Sequence, residues 1–382
     1  MSIENSKLEH RADVRMDAAS TEENMMARRF WTALAIAALA WAGAAAAASA
    51  QSAAAPAAAP SDPAGPPEDK SKRGTWSLTI ENDIIAGTDR DYTNGGLLSY
   101  VGPGNDLPWI GRLAKSALEW TNDAQTWHMT YGIGQNMYTP EDIVSSTPDP
   151  NDRPYAGVLY GSIGLAADER HPDGDPRRLD VFALDIGIVG EASLAEPTQK
   201  LVHKIIGSER PRGWSEQLGT EVAFRALYER NWRASKKWDV PIIPLETDIT
   251  PHIGLALGTL ETYAAAGFSV RIGEDLSDDY GPSRVRPALA SPGFFRDVDG
   301  FSYYLFAGAQ TRYVARDLFV EGSTFRESAG VDLQPYQLDL QAGLAIQVGR
   351  TEIAISHIAR SPQHDGQERW SRFGSINVRT RF

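Results

Sequence analysis

Ile376, Val378, Thr380 and Phe382 share one parity at the end of the chain, and Ser375, Asn377, Arg379 and Arg381 share the other. A β-strand points successive side chains to opposite faces. This stretch therefore presents one face suited to lipid and one suited to water. A last strand of this kind, ending in an aromatic residue, fits the closing strand of a transmembrane β-barrel. The same period recurs upstream. Tyr336, Leu338, Leu340, Ala342, Leu344, Ile346 and Val348 alternate with Gln337, Asp339, Gln341 and Gln347, and Trp76, Leu78 and Ile80 alternate with Ser77, Thr79 and Glu81.

The spacing predicts about twelve antiparallel strands, each of a length that crosses a bilayer when tilted. They fall near 75–84, 93–102, 126–138, 155–166, 178–190, 220–234, 246–257, 262–272, 301–315, 335–348, 351–360 and 372–382. The fold class is all-β: a transmembrane antiparallel barrel with a short helix in an outer loop. A soluble β-sandwich would need neither the terminal Phe382 nor this many strands.

The amino-terminal part reads differently. Arg28 and Arg29 precede an apolar run from Phe30 to about Ala48, and Ala48-Ser49-Ala50 resembles a signal cleavage site. Residues 1–50 are expected to be a signal peptide, with a true start at Met25 or Met26 explaining the polar lead. Residues 51–73 are Ala/Pro-rich and cannot bury a core, so a disordered periplasmic lead-in is expected there. The barrel takes 74–382. The chain has no cysteine, which excludes disulfides and thiolate chemistry. Its net charge of −13 argues against a nucleic-acid partner. Outer-membrane lipid is the expected surrounding, and a monomer the expected state.

With both ends periplasmic, the loops 85–92, 139–154 and 191–219 open outward. Two other connections, 103–125 and 273–300, are long for periplasmic turns, and Leu113 to Trp120 suits a short helix. The chemistry-bearing residues gather at the outer loops. Asn82 and Asp83 interrupt the apolar pattern of the first strand before Asp91-Tyr92-Thr93. Asp83 shares the inward parity of Glu81, whereas Asn82 shares the outward parity of Ile80. Gln135 to Pro140 and Asp152-Arg153 flank the second loop, and Arg153 suits a phosphate or a pair with Asp152. In the third loop Ser193 and Glu196 have capping-box spacing, and Leu194, Leu201 and Ile205 fit a helical repeat. His203 and Lys204 lie on that helix, and Glu209 follows past Gly207.

No G-x-S-x-G elbow and no H-E-x-x-H zinc motif occurs. What remains is one histidine with the oxygen donors Asn82, Asp83, Thr93 and Glu209. Hard oxygen donors suit calcium. A histidine beside a hard cation can hydrolyse an ester by activating water, without a protein nucleophile.

At these residues the chain resembles the lipid A 3'-O-deacylase family of Gram-negative outer membranes. The resemblance runs from about Thr75 to Phe382, and His203-Lys204-Ile205-Ile206-Gly207-Ser208-Glu209 is its most diagnostic part. It implies a twelve-stranded barrel, an active site between the barrel wall and a loop helix, and a calcium-dependent mechanism similar to that of secreted phospholipases. His203 would then be the general base, with Asp83 orienting it or sharing the metal, and Thr93 binding metal, water or oxyanion. Asn82 and Glu209 would ligate calcium. Lys204, Arg210 and Arg153 would hold the phosphates of lipopolysaccharide. A lysine that family members carry in the second outer loop has no counterpart between Tyr138 and Asn151. Two other readings fit such a barrel: a small porin without activity, and an outer-membrane phospholipase, which would need a serine nucleophile.

Overall fold

Alternation along the chain becomes a closed wall. The computed structural model describes residues 73–83, 91–118, 124, 126–172, 174, 176–238, 245–274, 276, 280, 281, 298 and 300–382. The signal peptide, the lead-in, the tip of the first outer loop and most of 273–300 lie outside the described residues. The strands are β1 (Thr75–Asn82), β2 (Asp91–Val101), β3 (Thr126–Thr139), β4 (Ala156–Arg170), β5 (Pro176–Val189), β6 (Glu221–Trp232), β7 (Ala234–Trp238), β8 (Leu245–Gly258), β9 (Glu261–Glu274), β10 (Phe301–Asp317), β11 (Tyr336–Val348), β12 (Thr351–Arg360) and β13 (Ser371–Arg381).

Each strand pairs antiparallel with its neighbour in sequence, except where β6 and β7 share one position in the wall. Both pair with β8, and Arg233 interrupts them. The Arg233 side chain turns inward to Asp248 at 2.8 Å. Twelve wall positions result, and β1 closes on β13 from Thr75 opposite Arg381 to Asn82 opposite Gly374. This is the even, antiparallel closure that removes every sheet edge from the bilayer.

The predicted parities hold. Asn377 faces inward and donates to Ser77 and Thr79. Arg379 is fully buried against Glu352 at 2.7 Å. Further inward charges pair between nearby strands on the inner wall: Arg225 with Asp185 and Glu261, Arg271 with Asp248, and Arg360 with Asp339. Charges survive burial only when paired and hydrogen-bonded, and here each arginine meets a carboxylate. At the outer end the lumen changes character. Tyr92, Tyr138, Phe319 and Phe373 form an apolar cap, with Phe319 stacked on Tyr138 at 4.3 Å. Phe319 comes from the short helix α3 (Leu318–Glu321), which Asp317 caps through the Phe319 amide at 2.9 Å.

At the periplasmic end, Tyr280 reaches in and donates to Asp168 at 3.0 Å. Burial and the neighbouring carboxylate push its phenol well above the ordinary range, so it stays a neutral donor. A helix does form in 103–125, as α1 (Trp109–Ala117), four residues ahead of the expected start at Leu113; Glu119 and Trp120 lie outside the described residues. Past the end of β9 at Glu274, the described residues Leu276, Tyr280 and Gly281 meet the inward groups Arg233, Asp168 and Arg379.

Candidate active site

Three strand ends and one loop helix carry the candidate residues. At the top of β1, Glu81, Asn82 and Asp83 are all buried. Asn82 lies in register with Gly374 on one side and Asn94 on the other. That row continues through Met137 on β3 to Gly157 on β4, along the outward face of the wall. Between Tyr92 and Asn94 the register shifts, and Thr93 occupies the bulge. A bulge re-aims a side chain at a barrel rim. The buried Thr93 hydroxyl accordingly meets that of Thr139 at 2.7 Å.

The third outer loop lays helix α2 (Ala195–Ile206) against β3 and β4. Its start presses on Gly157, where an added Cβ would come within 2.2 Å of the Ala195 Cβ and 2.5 Å of the Ser193 hydroxyl. The Gln135 amide donates to the Ser193 carbonyl at 2.6 Å. Met137, Ile143, Tyr155, Ala195 and Trp214 pack together beneath it. Trp214 also donates to the buried Gln199 at 2.6 Å. The helix is therefore fixed on the lipid side of the wall, not over the lumen.

His203 occupies the buried face of α2 with Ala195, Gln199 and Ile206. Gly207 ends the helix at φ 79°, the left-handed value that suits glycine. Its amide and that of Ser208 both return to the His203 carbonyl. The chain then doubles back, and the His203 Nδ1 lies 2.5 Å from the Glu209 carbonyl. A carbonyl only accepts, so Nδ1 carries the proton. In the neutral ring Nε2 then has the lone pair a general base requires.

Several expectations change here. Glu209 meets His203 through its backbone, and its carboxylate is exposed. The capping box does not form. Leu194 is the N-cap in the left-handed region, and Glu196 pairs with Lys200 instead. Arg153 is not a phosphate ligand at the surface. It is fully buried, 4.8 Å over the Tyr138 ring, and donates to Gln363 and to the Phe319 carbonyl. The guanidinium suits this inner seat because it can stack and hydrogen-bond at once. Nor does Arg153 pair with Asp152, whose carboxylate instead accepts the backbone amides of Arg153 and Glu141. Lys204 and Arg210 are exposed at the loop surface, open to an anionic partner. Thr139, Gln199 and Gln135 complete the support. Polar residues inside apolar or helical stretches are the one sequence signal that marks them.

Among the described residues no group of three or more His, Asp or Glu side chains converges as a metal cage. The amide of Asn82, the carboxylate of Asp83 and the hydroxyls of Thr93 and Thr139 are nonetheless buried hard-oxygen donors at adjacent strand ends. Their chemistry fits calcium.

A family profile described as "Outer membrane protein LpxR" matches residues 34–382. The chain belongs to the LpxR family. It is an outer-membrane protein, and its closed barrel agrees with that location. Among solved structures, LpxR from Salmonella typhimurium is similar at 18% identity and a TM-score of 0.62, over 81% of this chain and 100% of that one. This likeness establishes the shared fold. The beta domain of the Bordetella autotransporter Brka is 12% identical with a TM-score of 0.37, over 81% and 100% of the two chains. The translocator domain of the autotransporter NalP from Neisseria meningitidis is 10% identical with a TM-score of 0.34, over 81% and 88%. No curated protein sequence matches the chain.

Proposed function

We propose that this protein is a lipid A deacylase that hydrolyses an ester-linked acyl chain, at the 3'-O position by family resemblance. The observation that carries the reading is the setting of His203. It is a buried histidine with Nδ1 bound to a carbonyl, on a helix clamped to the lipid side of the barrel wall. A histidine inside the lumen would serve a pore. One on the outer wall near the rim meets the esters of a lipid held in the outer leaflet.

In this reading His203 Nε2 takes a proton from water, and the resulting hydroxide adds to the ester carbonyl. Collapse of the tetrahedral intermediate breaks the bond to the sugar oxygen, and the proton passes from His203 to that leaving alkoxide. Asn82, Asp83 and Thr93 would hold calcium. A bound calcium ion would supply charge against the developing oxyanion. Glu209 contributes by orienting His203 through its carbonyl. Lys204 and Arg210 would meet the phosphates of the glucosamine backbone.

The exposed flank of Leu194, Leu201 and Ile205 on the same helix suits acyl chains beside the site. The porin reading is disfavoured by the aromatic cap and by the paired charges that line the lumen wall. Purified protein incubated with lipid A, followed by mass spectrometry, tests the proposal. Loss of one hydroxyacyl or acyloxyacyl mass is expected, and no such loss from His203→Ala. An unchanged lipid A spectrum with folded wild-type protein, or full activity in His203→Ala, would refute it.

A further inference from the structure

We propose that α1 is a membrane-surface anchor, which inserts an apolar flank among the acyl chains of the periplasmic leaflet and offers cations to phospholipid phosphates. The helix lies on the outside of the barrel. On β3, Thr130 and Asn136 face the lumen, while Tyr131 and Ile133 face outward and are exposed. Trp127 and Met129 share that outward parity, yet they are covered. Leu107 and the inner face of α1 cover them, with Gly111 against Met129 and Ala114 joining the cluster.

The uncovered part of α1 is sharply divided. At about 3.6 residues per turn, Gly111, Ala114 and Leu118 form the wall-facing side. Ile110, Leu113 and Trp109 fall on one flank, exposed by 43%, 63% and 70%. Arg112 and Lys115 fall on the other, and the helix contains no acidic residue. Such a helix, with aromatic and aliphatic residues on one flank and cations on the other, is built to lie in a lipid interface.

The orientation is fixed by contacts with the wall. Lys115 sits 5.4 Å over the ring of Trp127, near the periplasmic start of β3. Gly111 sits on Met129, one outward position closer to the bilayer. Lys115 belongs to the cationic flank and reaches Trp127, so that flank points toward the periplasm and the opposite flank of Ile110 and Leu113 toward the hydrocarbon. Just above lies a row of aromatic residues: Trp76, Tyr100 and Tyr131 are in register across β1, β2 and β3. Trp76 and Tyr100 pack at 4.9 Å. Aromatic girdles of this kind mark the edge of the hydrocarbon, so α1 rests at the headgroup level. The helix is continuous with the lipid-facing wall, and its charge complements phosphate. This assignment does not depend on the catalytic reading.

The absence of cysteine makes the test direct. Leu113→Cys and Lys115→Cys, each labelled with the same environment-sensitive fluorophore, are reconstituted into vesicles of phosphatidylethanolamine and phosphatidylglycerol. One set carries brominated acyl chains, and another is titrated with iodide. Heat-modifiable mobility selects folded barrels, and Ile110→Cys serves if Leu113→Cys does not fold. The label at 113 should be quenched by brominated chains at least about twofold more than the label at 115, with the reverse order for iodide. Equal iodide quenching at both positions, or deeper quenching at 115, would overturn the proposal.

Discussion

Gly157→Ala isolates the seat of α2 from the rest of the barrel. The new Cβ would lie 2.2 Å from the Ala195 Cβ and 2.5 Å from the Ser193 hydroxyl. Two carbons rest at about 3.5–4.0 Å, so the start of the helix must move by roughly 1.5 Å. The wall cannot yield as easily, because β4 is bonded along its length to β3 and β5. Overpacking of this kind costs about 1–3 kcal/mol, and here it falls on the loop. A displacement of about 1 Å in catalytic geometry can lower turnover about 100-fold. Gly157→Ala should therefore keep normal membrane levels and heat-modifiable mobility while losing about two orders of magnitude in lipid A deacylation. Ala195→Gly in the same chain removes the nearer clash and should recover part of the activity. Full activity in Gly157→Ala would refute the claim that the contact of α2 with the wall positions His203.

Three further outcomes are expected. Chelation should silence deacylation, and calcium should restore it better than magnesium, whose tighter octahedral demand suits this donor set less; turnover measured in excess chelator decides this. Glu352→Ala leaves Arg379 buried without its carboxylate and should lower stability by about 3–5 kcal/mol, read from urea unfolding in vesicles. Arg153→Ala should cost about 1.5–3 kcal/mol from lost charged hydrogen bonds in the same assay, with KM for lipid A unchanged, since Arg153 packs inside the barrel.

The wall was legible because a barrel in lipid obeys a strict two-residue period, and Arg379 or Asn377 can sit on one side only. Strand ends are less so: the strand expected at 220–234 runs on as β7 to Trp238, past an interruption at Arg233 whose side chain pairs inward with Asp248. The helix containing His203 was legible from its spacing, but its orientation was not. Leu194, Leu201 and Ile205 are exposed, and Gln199 and His203 are buried, the inverse of a helix in water. Here the helix has lipid on its open side and a polar rim beneath, so the usual rule for its faces reverses. In sequence Arg153 reads as a surface residue, because an arginine next to an aspartate in a loop looks like a surface pair. Only the folded rim supplies the Tyr138 ring and Phe319 carbonyl that draw it inward.

Both helices lie on the same pair of strands, α1 covering Met129 and α2 reaching down to Gln135. Between those two positions the bare wall of β3 spans roughly 20 Å along the strand, about 15 Å along the membrane normal after tilt, against an apolar band of about 25 Å on such barrels. The rest of the apolar band on this flank is made by helix instead of strand: Trp109, Ile110 and Leu113 of α1 below, and Leu201 and Ile205 of α2 above.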